Sequence, residues 1–199
     1  MTKDVKIRLE LFCGSRPKMG EPFSQGVYTY ATNGHILVRV DKDPKYDKNE
    51  GPCLMGLPFD HDKFATWQKL PKLPKAKGCE LCHGKGTVDE CSECGGKGAI
   101  KWSNGRHAYE AECKSCNGDG LVGGRGLVCP NCRGMGTCHT YQSSILVKGF
   151  QLDMNYLERI KALTNPVLAF EPDDTCCKII RFKFDGGVGL LMPMRQGGQ

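Results

Sequence analysis

CELCHGKG (79–86), CSECGGKG (91–98), CKSCNGDG (113–120) and CPNCRGMG (129–136) are one eight-residue unit, C-x-x-C-x-G-x-G, written four times. Two cysteines three apart can turn both sulfurs toward one ion, and a tetrahedral Zn²⁺ site needs two such pairs. Glycines after the second cysteine let the backbone take positive φ and fold back tightly around a metal. Four pairs supply eight thiolates, enough for two closed Cys₄ sites and two structural Zn²⁺ ions. An all-thiolate set points away from catalytic zinc, which keeps an open position and mixes in His or carboxylate. His83 and His139 lie beside these cysteines, but each pair is already complete, so both read as surface residues. The fourfold repeat with its glycines also argues against a redox C-x-x-C. Spacing leaves the pairing open, because consecutive and nested pairs satisfy the same ligand count.

At these residues the chain resembles the cysteine-rich zinc domain of the DnaJ (Hsp40) co-chaperones, over roughly 79–136. The resemblance implies a small V-shaped module of β-hairpins. It implies that Cys79, Cys82, Cys129 and Cys132 hold one zinc, and that Cys91, Cys94, Cys113 and Cys116 hold the other. The His-Pro-Asp tripeptide of a J-domain occurs nowhere, so stimulation of an Hsp70 in the usual way is not expected.

The remaining composition is that of a globular chain: 199 residues, 39% hydrophobic and 25% charged. No run approaches the ~18 apolar residues of a membrane helix, so no membrane partner is expected. Of 13 cysteines, Cys13, Cys53, Cys138, Cys176 and Cys177 lie outside the four units. With the polar start MTKDVKIRLE and an odd number of leftover thiols, reduced cysteines in a bacterial or phage-infected cytoplasm are expected rather than disulfides. The formal charge of +6 invites a nucleic-acid reading. Between Cys79 and His139, however, seven basic and seven acidic residues cancel. Eight thiolates on two Zn²⁺ then leave that segment near about −4. The positive charge therefore lies outside the zinc segment.

The flanks read as α+β. Val5, Ile7, Leu9 and Leu11 alternate with Lys6, Arg8 and Glu10, which predicts a half-buried strand. Residues 13–26 read as a loop. In 27–40 two strands flank Thr32-Asn33-Gly34-His35, and Asn-Gly between apolar alternations predicts a type I′ hairpin. Asp60 is the expected N-cap of a helix running to Leu70, with Phe64 and Trp67 on one buried face. The proline- and lysine-rich 69–78 reads as a stiff linker. Past the zinc segment, 141–149 reads as a strand. Residues 153–163 carry Met154, Leu157, Ile160 and Leu163 at helical spacing, with Asp153 as N-cap and Asn165-Pro166 as the stop. Segments 167–170, 177–184 and 188–192 read as three more strands.

These flanks resemble one domain of the bacterial sliding clamp, the processivity factor of the replicative polymerase. The resemblance rests on Ala31-Thr32-Asn33-Gly34-His35-Ile36-Leu37, on FQLDMNYLERIKAL at 150–163, and on Leu190-Leu191-Met192-Pro193-Met194-Arg195. It implies two β-α-β-β-β halves, residues 1–70 and 140–199, interrupted by a basic linker (71–78) and a zinc module (79–139). A clamp closes as a ring, so a homo-oligomer is implied. The helices would present basic residues to duplex backbone without reading bases. The candidate DNA contacts are Lys63, Lys69, Lys72, Lys75, Lys77, Arg159 and Lys161. One clamp domain fused to such a finger suits a bacteriophage or mobile element.

No catalytic constellation emerges, so a binding protein rather than an enzyme is expected. The first reading is a zinc-binding accessory of DNA replication or another DNA transaction, touching DNA or a replication protein. The alternative is a protein-interaction adaptor that grips a host or client protein through the zinc module. Trp102, Tyr109, Leu121 and Leu127 would form a contact patch, or else the module's small core.

Overall fold

The computed structural model describes residues 7–47, 50–54, 56–59, 66–139, 143–170 and 179–194. The chain divides into two compact units. The body comprises Met1–Pro74 with Thr140–Gln199, and the inserted module is Lys75–His139. No helix among the described residues is long and apolar enough to cross a membrane.

The body is built on one antiparallel sheet of seven strands. Strands β1 (Phe23–Gln25), β2 (Tyr28–Thr32) and β3 (Ile36–Asp41) precede the insert, as does β4 (Thr66–Lys69). The strands that follow the insert are β14 (Val167–Phe170), β15 (Ile180–Phe184) and β16 (Gly187–Leu191). Their spatial order is β1-β2-β3-β16-β15-β14-β4. The segments before and after the insert therefore meet twice. Leu37 faces Leu190 where β3 pairs β16, and Trp67 faces Ala169 where β4 pairs β14. Strand β15 is buried on both faces, Ile180 and Phe182 fully and Arg181 nearly so. That is why it lacks a clean polar alternation. Gly187 and Gly189 lie opposite Phe184 and Phe182, and each phenyl ring fills the space a side chain would need. A Cβ on Gly189 would stand 2.1 Å from the Phe182 ring.

One face of the sheet holds an aromatic cluster of Phe23, Tyr30, Leu37, Phe59 and Leu190. There the Arg39 guanidinium lies 4.6 Å from the Tyr28 ring centre and 4.4 Å from that of Phe59. Near the N-terminus, Leu9–Phe12 forms a 3-10 turn with Leu9, Leu11 and Phe12 buried, and it packs against β2 and β3. This corrects the strand expected there. The apolar run is used as a plug, which needs three neighbouring side chains pointing inward rather than alternate ones.

The β2–β3 hairpin forms, but Gly34 (φ +90°) alone of its central residues is left-handed. That matches a type II′ rather than a type I′ turn. Asn33 sits at its flank instead, where Oδ1 accepts from the His35 and Ile36 amides at 2.9 and 3.1 Å. Helix α1 (Met154–Lys161) starts at the expected cap, with Asp153 Oδ1 accepting from Asn155 N at 2.7 Å. It buries Leu157 and Ile160. Its Tyr156 hydroxyl accepts from Asn33 Nδ2 at 3.2 Å, and its ring stacks on His35. Before it, β12 (Ser144–Val147) and β13 (Phe150–Asp153) form a hairpin whose turn residues Lys148 (φ 48°) and Gly149 (φ 82°) are both left-handed.

The helix expected over 60–70 is not formed at its described end. Residues 60–65, Lys63 and Phe64 included, lie outside the described residues, and Thr66–Lys69 is strand β4. A sheet edge beside β14 takes this segment, with the Lys183 ammonium 4.5 Å from the Trp67 ring centre. Among the described residues the body is thus sheet-rich with a single α-helix. After the insert the order β13, α1, β14, β15, β16 is the expected β-α-β-β-β, whereas before it no α-helix occurs among the described residues; the main strands form one seven-stranded sheet, with β12–β13 a separate hairpin.

In the module, β5 (Lys77–Gly78) pairs with β11 (Thr137–Cys138), so the linker's end is part of the module. Strands β10 (Leu127–Val128), β6 (Thr87–Glu90) and β9 (Leu121–Gly123) make a three-stranded sheet in that order. Strands β7 (Ala99–Ser103) and β8 (Ala108–Glu112) form a separate hairpin. Its Asn104-Gly105 turn repeats the Asn33 device, with Asn104 Oδ1 accepting from the Arg106 and His107 amides.

Candidate metal centres

Each C-x-x-C-x-G-x-G unit folds into the same knuckle. The residue after the second cysteine is left-handed in all four: His83 (φ 49°), Gly95 (φ 57°), Asn117 (φ 49°) and Arg133 (φ 51°). The last glycine of each unit donates its N–H to the second cysteine's sulfur. Gly86 donates to Cys82 at 3.2 Å, Gly98 to Cys94 at 3.3 Å, Gly120 to Cys116 at 3.2 Å and Gly136 to Cys132 at 3.2 Å. Such N–H···S bonds favour the thiolate form.

The knuckles then pair reciprocally, first with fourth and second with third. Cys79 N donates to Gly136 O and Cys129 N to Gly86 O, both at 2.9 Å. Cys91 N donates to Gly120 O at 2.8 Å and Cys113 N to Gly98 O at 2.9 Å. This contact explains the final glycine twice over. It has φ between 72° and 78° in all four units, and a Cβ there would strike the partner knuckle's carbonyl. The overlap would be at 2.1 Å for Gly98 against Gly118 O and 2.2 Å for Gly120 against Gly96 O.

Pairing brings Cys79, Cys82, Cys129 and Cys132 together in one cluster and Cys91, Cys94, Cys113 and Cys116 in the other. All eight are buried, and the sulfurs within each cluster lie within 4.8 Å of one another. The Sγ–Sγ contacts are 3.8 Å (Cys79–Cys129), 3.7 Å (Cys82–Cys132), 3.8 Å (Cys91–Cys113) and 3.8 Å (Cys94–Cys116). A tetrahedron of sulfurs about 2.3 Å from Zn²⁺ has an edge of about 3.8 Å, whereas a disulfide is about 2.05 Å. Both clusters fit two structural Zn²⁺.

The crowding of the thiols shifts them in opposite directions. Burial and then the neighbouring cluster thiols push Cys116 and Cys132 up to about 12, although backbone N–H groups oppose the shift. Burial also works against the Cys79 and Cys94 thiolates. Backbone donors at Cys82 and Gly98 and the adjoining thiols outweigh it and bring both to about 7. Four adjacent thiolates need a cation among them. Asn131 Nδ2 adds an outer contact, 3.6 Å from Cys79 Sγ.

Over about a third of its length the chain is similar to the chaperone protein DnaJ. It is 39% identical over 66 residues to that of Rickettsia akari, which is 31% of this chain and 17% of the chaperone. It is 35% identical over 75 residues to that of Listeria welshimeri, 33% of this chain and 20% of the chaperone. For Acidithiobacillus ferrooxidans the figures are 34% over 56 residues, 26% and 15%. The chain thus spans about a fifth or less of these relatives. No family model and no solved structure matches it. The two Cys₄ clusters fit a DnaJ-type zinc domain. The sliding-clamp resemblance of the flanks gains no support.

The other sequence-derived residues fall as follows. Lys69, Lys72, Lys75 and Lys77 are exposed. Arg159 is 5% exposed, its guanidinium 5.2 Å from the Tyr156 ring centre. It therefore packs inside the body instead of facing a duplex, because α1 turns that side inward. Lys161 is exposed but paired with Glu158 at 3.2 Å. Leu121 is half-buried against the outer cluster. Trp102, Tyr109 and Leu127 are not core: they are 52%, 41% and 52% exposed. The module's core is its cysteines, with Val88 fully buried among the outer four. Of the leftover cysteines, Cys13 is buried and Cys53 exposed. Cys138 is half-buried against the outer cluster, its thiol raised by burial and then by Cys79, Cys82 and Cys129. Nothing in the sequence spacing singled it out, since it lies outside the repeat.

Proposed function

We propose that this chain is a non-enzymatic adaptor whose zinc-stapled module presents the β7–β8 hairpin to a protein partner. One observation carries the reading. Ile100, Trp102 and Tyr109 share one face of the hairpin and stay 40%, 52% and 41% exposed. The Trp102 and Tyr109 rings stack with centres 5.5 Å apart, and the opposite face carries the Lys101–Glu110 ion pair. A two-stranded ribbon with a wet aromatic face, and with no further strand on its outer edges among the described residues, suits capture of an extended apolar segment. The inner Cys₄ knuckles fix the roots of both strands, and a rigid scaffold lowers the entropy cost of presenting them. The similar proteins are chaperones, which supports a protein client.

The test uses the full zinc-loaded chain and a fluorescent, reduced and carboxymethylated α-lactalbumin as unfolded probe. Trp102→Ala/Tyr109→Ala should weaken binding by tenfold or more while zinc stays at two per chain. Equal affinity for the double variant and the parent would remove the hairpin from the reading.

A DNA-transaction accessory is the second reading, favoured by the four exposed lysines at 69, 72, 75 and 77. It predicts sequence-independent, salt-sensitive binding to a short duplex that alanine at those four positions weakens. A clamp-like use of the body also requires a closed oligomer, which light scattering measures directly. A monomer with no duplex affinity at low salt would end it.

A further inference from the structure

The seven-stranded sheet of the body has two faces of opposite chemistry. Partners in an antiparallel pair point to the same face, and so do residues two apart on one strand. The register therefore puts Val38, Leu168, Ile180 and Phe182 on one face, all fully buried. On the other face a transverse row runs Tyr30, Arg39, Val188, Lys183, Val167, Lys69 from β2 to β4. Cations thus stand on β3, β15 and β4, with a valine on each strand between them. Neighbouring strands lie about 4.8 Å apart, so successive cations are spaced about 10 Å. Arg39 and Lys183 are half-buried and Lys69 is exposed. Among the described strand residues the one acid on this face is Asp41, exposed at the end of β3. Both inner cations are held against rings that share the face, Arg39 against Tyr28 and Lys183 against Trp67. A head group already fixed over a ring loses little further freedom when an anion binds it. A cleft of about 210 Å³ opens beside Arg39, lined also by Tyr28, Asp41 and Val188. A tighter hollow lined by Val188, Lys183 and Trp67 continues it along the row.

We infer that this face of the body binds single-stranded nucleic acid, with phosphates on Arg39, Lys183 and Lys69 and bases against Tyr28 and Trp67. The formal charge of +6 belongs to the residues flanking the zinc segment, whose own basic and acidic residues cancel. A polyanion approaching the body therefore meets net positive charge. A single strand is the polyanion that also offers flat apolar surfaces, and positive grooves set with aromatic rings bind it through both. A duplex hides its bases from such rings, and a polyglutamate chain has no ring to place on them. From β2 to β4 the strand order makes five steps, about 24 Å in all. That is room for roughly four nucleotides, the low end of site sizes for stacking grooves. Contacts to phosphates and ring faces carry little sequence preference, and they weaken as salt rises. Every residue of the site lies in the body, so it does not depend on the hairpin of the zinc module.

The test uses the full zinc-loaded chain and fluorescein-labelled oligothymidine of about 12 nucleotides, followed by anisotropy between about 50 and 200 mM salt. Oligouridine is run alongside; binding of either strand supports the inference, and the ratio of the two tells DNA from RNA. Lys183→Gln/Lys69→Gln should weaken binding at least tenfold. It should also make the slope of log affinity against log salt shallower by about 1.4, since each phosphate contact on a single strand contributes about 0.7. A second measurement covers the case in which that variant fails to fold. The chain has two tryptophans, so in Trp102→Phe the emission comes from Trp67 alone, and saturating oligothymidine should quench it. No binding at low salt, a salt slope unaltered in Lys183→Gln/Lys69→Gln, or Trp67 emission unchanged at saturation would each overturn the inference. So would an affinity for a duplex or for polyglutamate equal to that for the single strand.

Discussion

Replacing Gly98 by alanine tests the knuckle architecture most directly. Gly98 has φ 73°, and a Cβ there would lie 2.1 Å from the Gly118 carbonyl oxygen. Real Cβ atoms essentially never come closer than 3.0 Å, so the second and third knuckles must separate by about 0.9 Å or more, the difference between the two. That displacement acts on the pair of knuckles whose sulfurs meet at 3.8 Å. The left-handed backbone costs an alanine roughly 1–2 kcal/mol, and overpacking adds roughly 1–3 kcal/mol. The sum, roughly 2–5 kcal/mol, corresponds to a loss of inner-site zinc affinity of about 30-fold to more than 1,000-fold. Gly105→Ala is the matched control. Its φ is 87°, but nothing lies within 4 Å of the added Cβ, and it sits at the hairpin turn, away from the sulfurs. It pays the backbone cost alone, the turn can fray locally, and inner-site affinity should move by less than about tenfold. The assay is competition for zinc with a chromogenic chelator, following the two sites separately. Equal effects of the two substitutions would refute the claim that close approach, rather than backbone handedness, demands glycine at the end of each unit.

Three further outcomes follow from the same structure. Gly189→Ala should destabilise the body by about 1–3 kcal/mol in urea unfolding, since its Cβ meets the Phe182 ring at 2.1 Å and the Leu37 carbonyl at 2.5 Å; a change below about 0.5 kcal/mol would mean the sheet yields freely there. Glu10 is held down to about 2: burial opposes this, but hydrogen bonds from Lys45 and Tyr46 outweigh it. Its folded pKa lies below its ordinary value of 4.5, so its contribution is full above about pH 4.5 and fades toward pH 2. Glu10→Gln should therefore cost up to about 1 kcal/mol at neutral pH for this exposed pair, and the gap should close on acidification; a gap constant with pH would contradict the assignment. Chelation at neutral pH should abolish hydrogen-exchange protection in β7 and β8 while β3 and β16 keep theirs, because the module's buried set is mostly metal-ligating cysteine and the body has its own apolar core. Simultaneous loss would show that the body depends on the metal.

Much of the module was readable in advance because its determinants are local. Sulfur spacing within a unit and the glycines that follow it act over eight residues, and the same four-fold pattern builds the same four knuckles. The pairing of knuckles is different in kind. First with fourth and second with third differs from consecutive pairing only in which backbones meet, and that is decided by the Gly86–Cys129 and Gly120–Cys91 contacts and the strands between them. Resemblance supplied an expectation; the ladder register supplies a physical cause.

The body was less legible, for identifiable reasons. The Asp153 cap and the helix after it obey rules that span a single turn, so they could be read. Leu9, Leu11 and Phe12 alternate only in part, and whether they enter a sheet or plug it depends on β2 and β3 offering a surface. The three-residue spacing of Phe64 and Trp67 in the sequence suggests a helix over Thr66–Lys69, yet β14 offers this segment a sheet edge, and backbone hydrogen bonding to that edge outweighs a weak local preference. Arg159 looked like a surface cation on a helix; which side of a helix faces inward is set by what the helix packs on. What the sequence determined alone is the chemistry and local turn of each zinc knuckle, since both arise from residues within one unit. Which knuckles share a metal, where the body's strands join across the insert, and that Cys138 stands beside the outer site were decided only by the tertiary structure, because each is a contact between residues far apart in the chain.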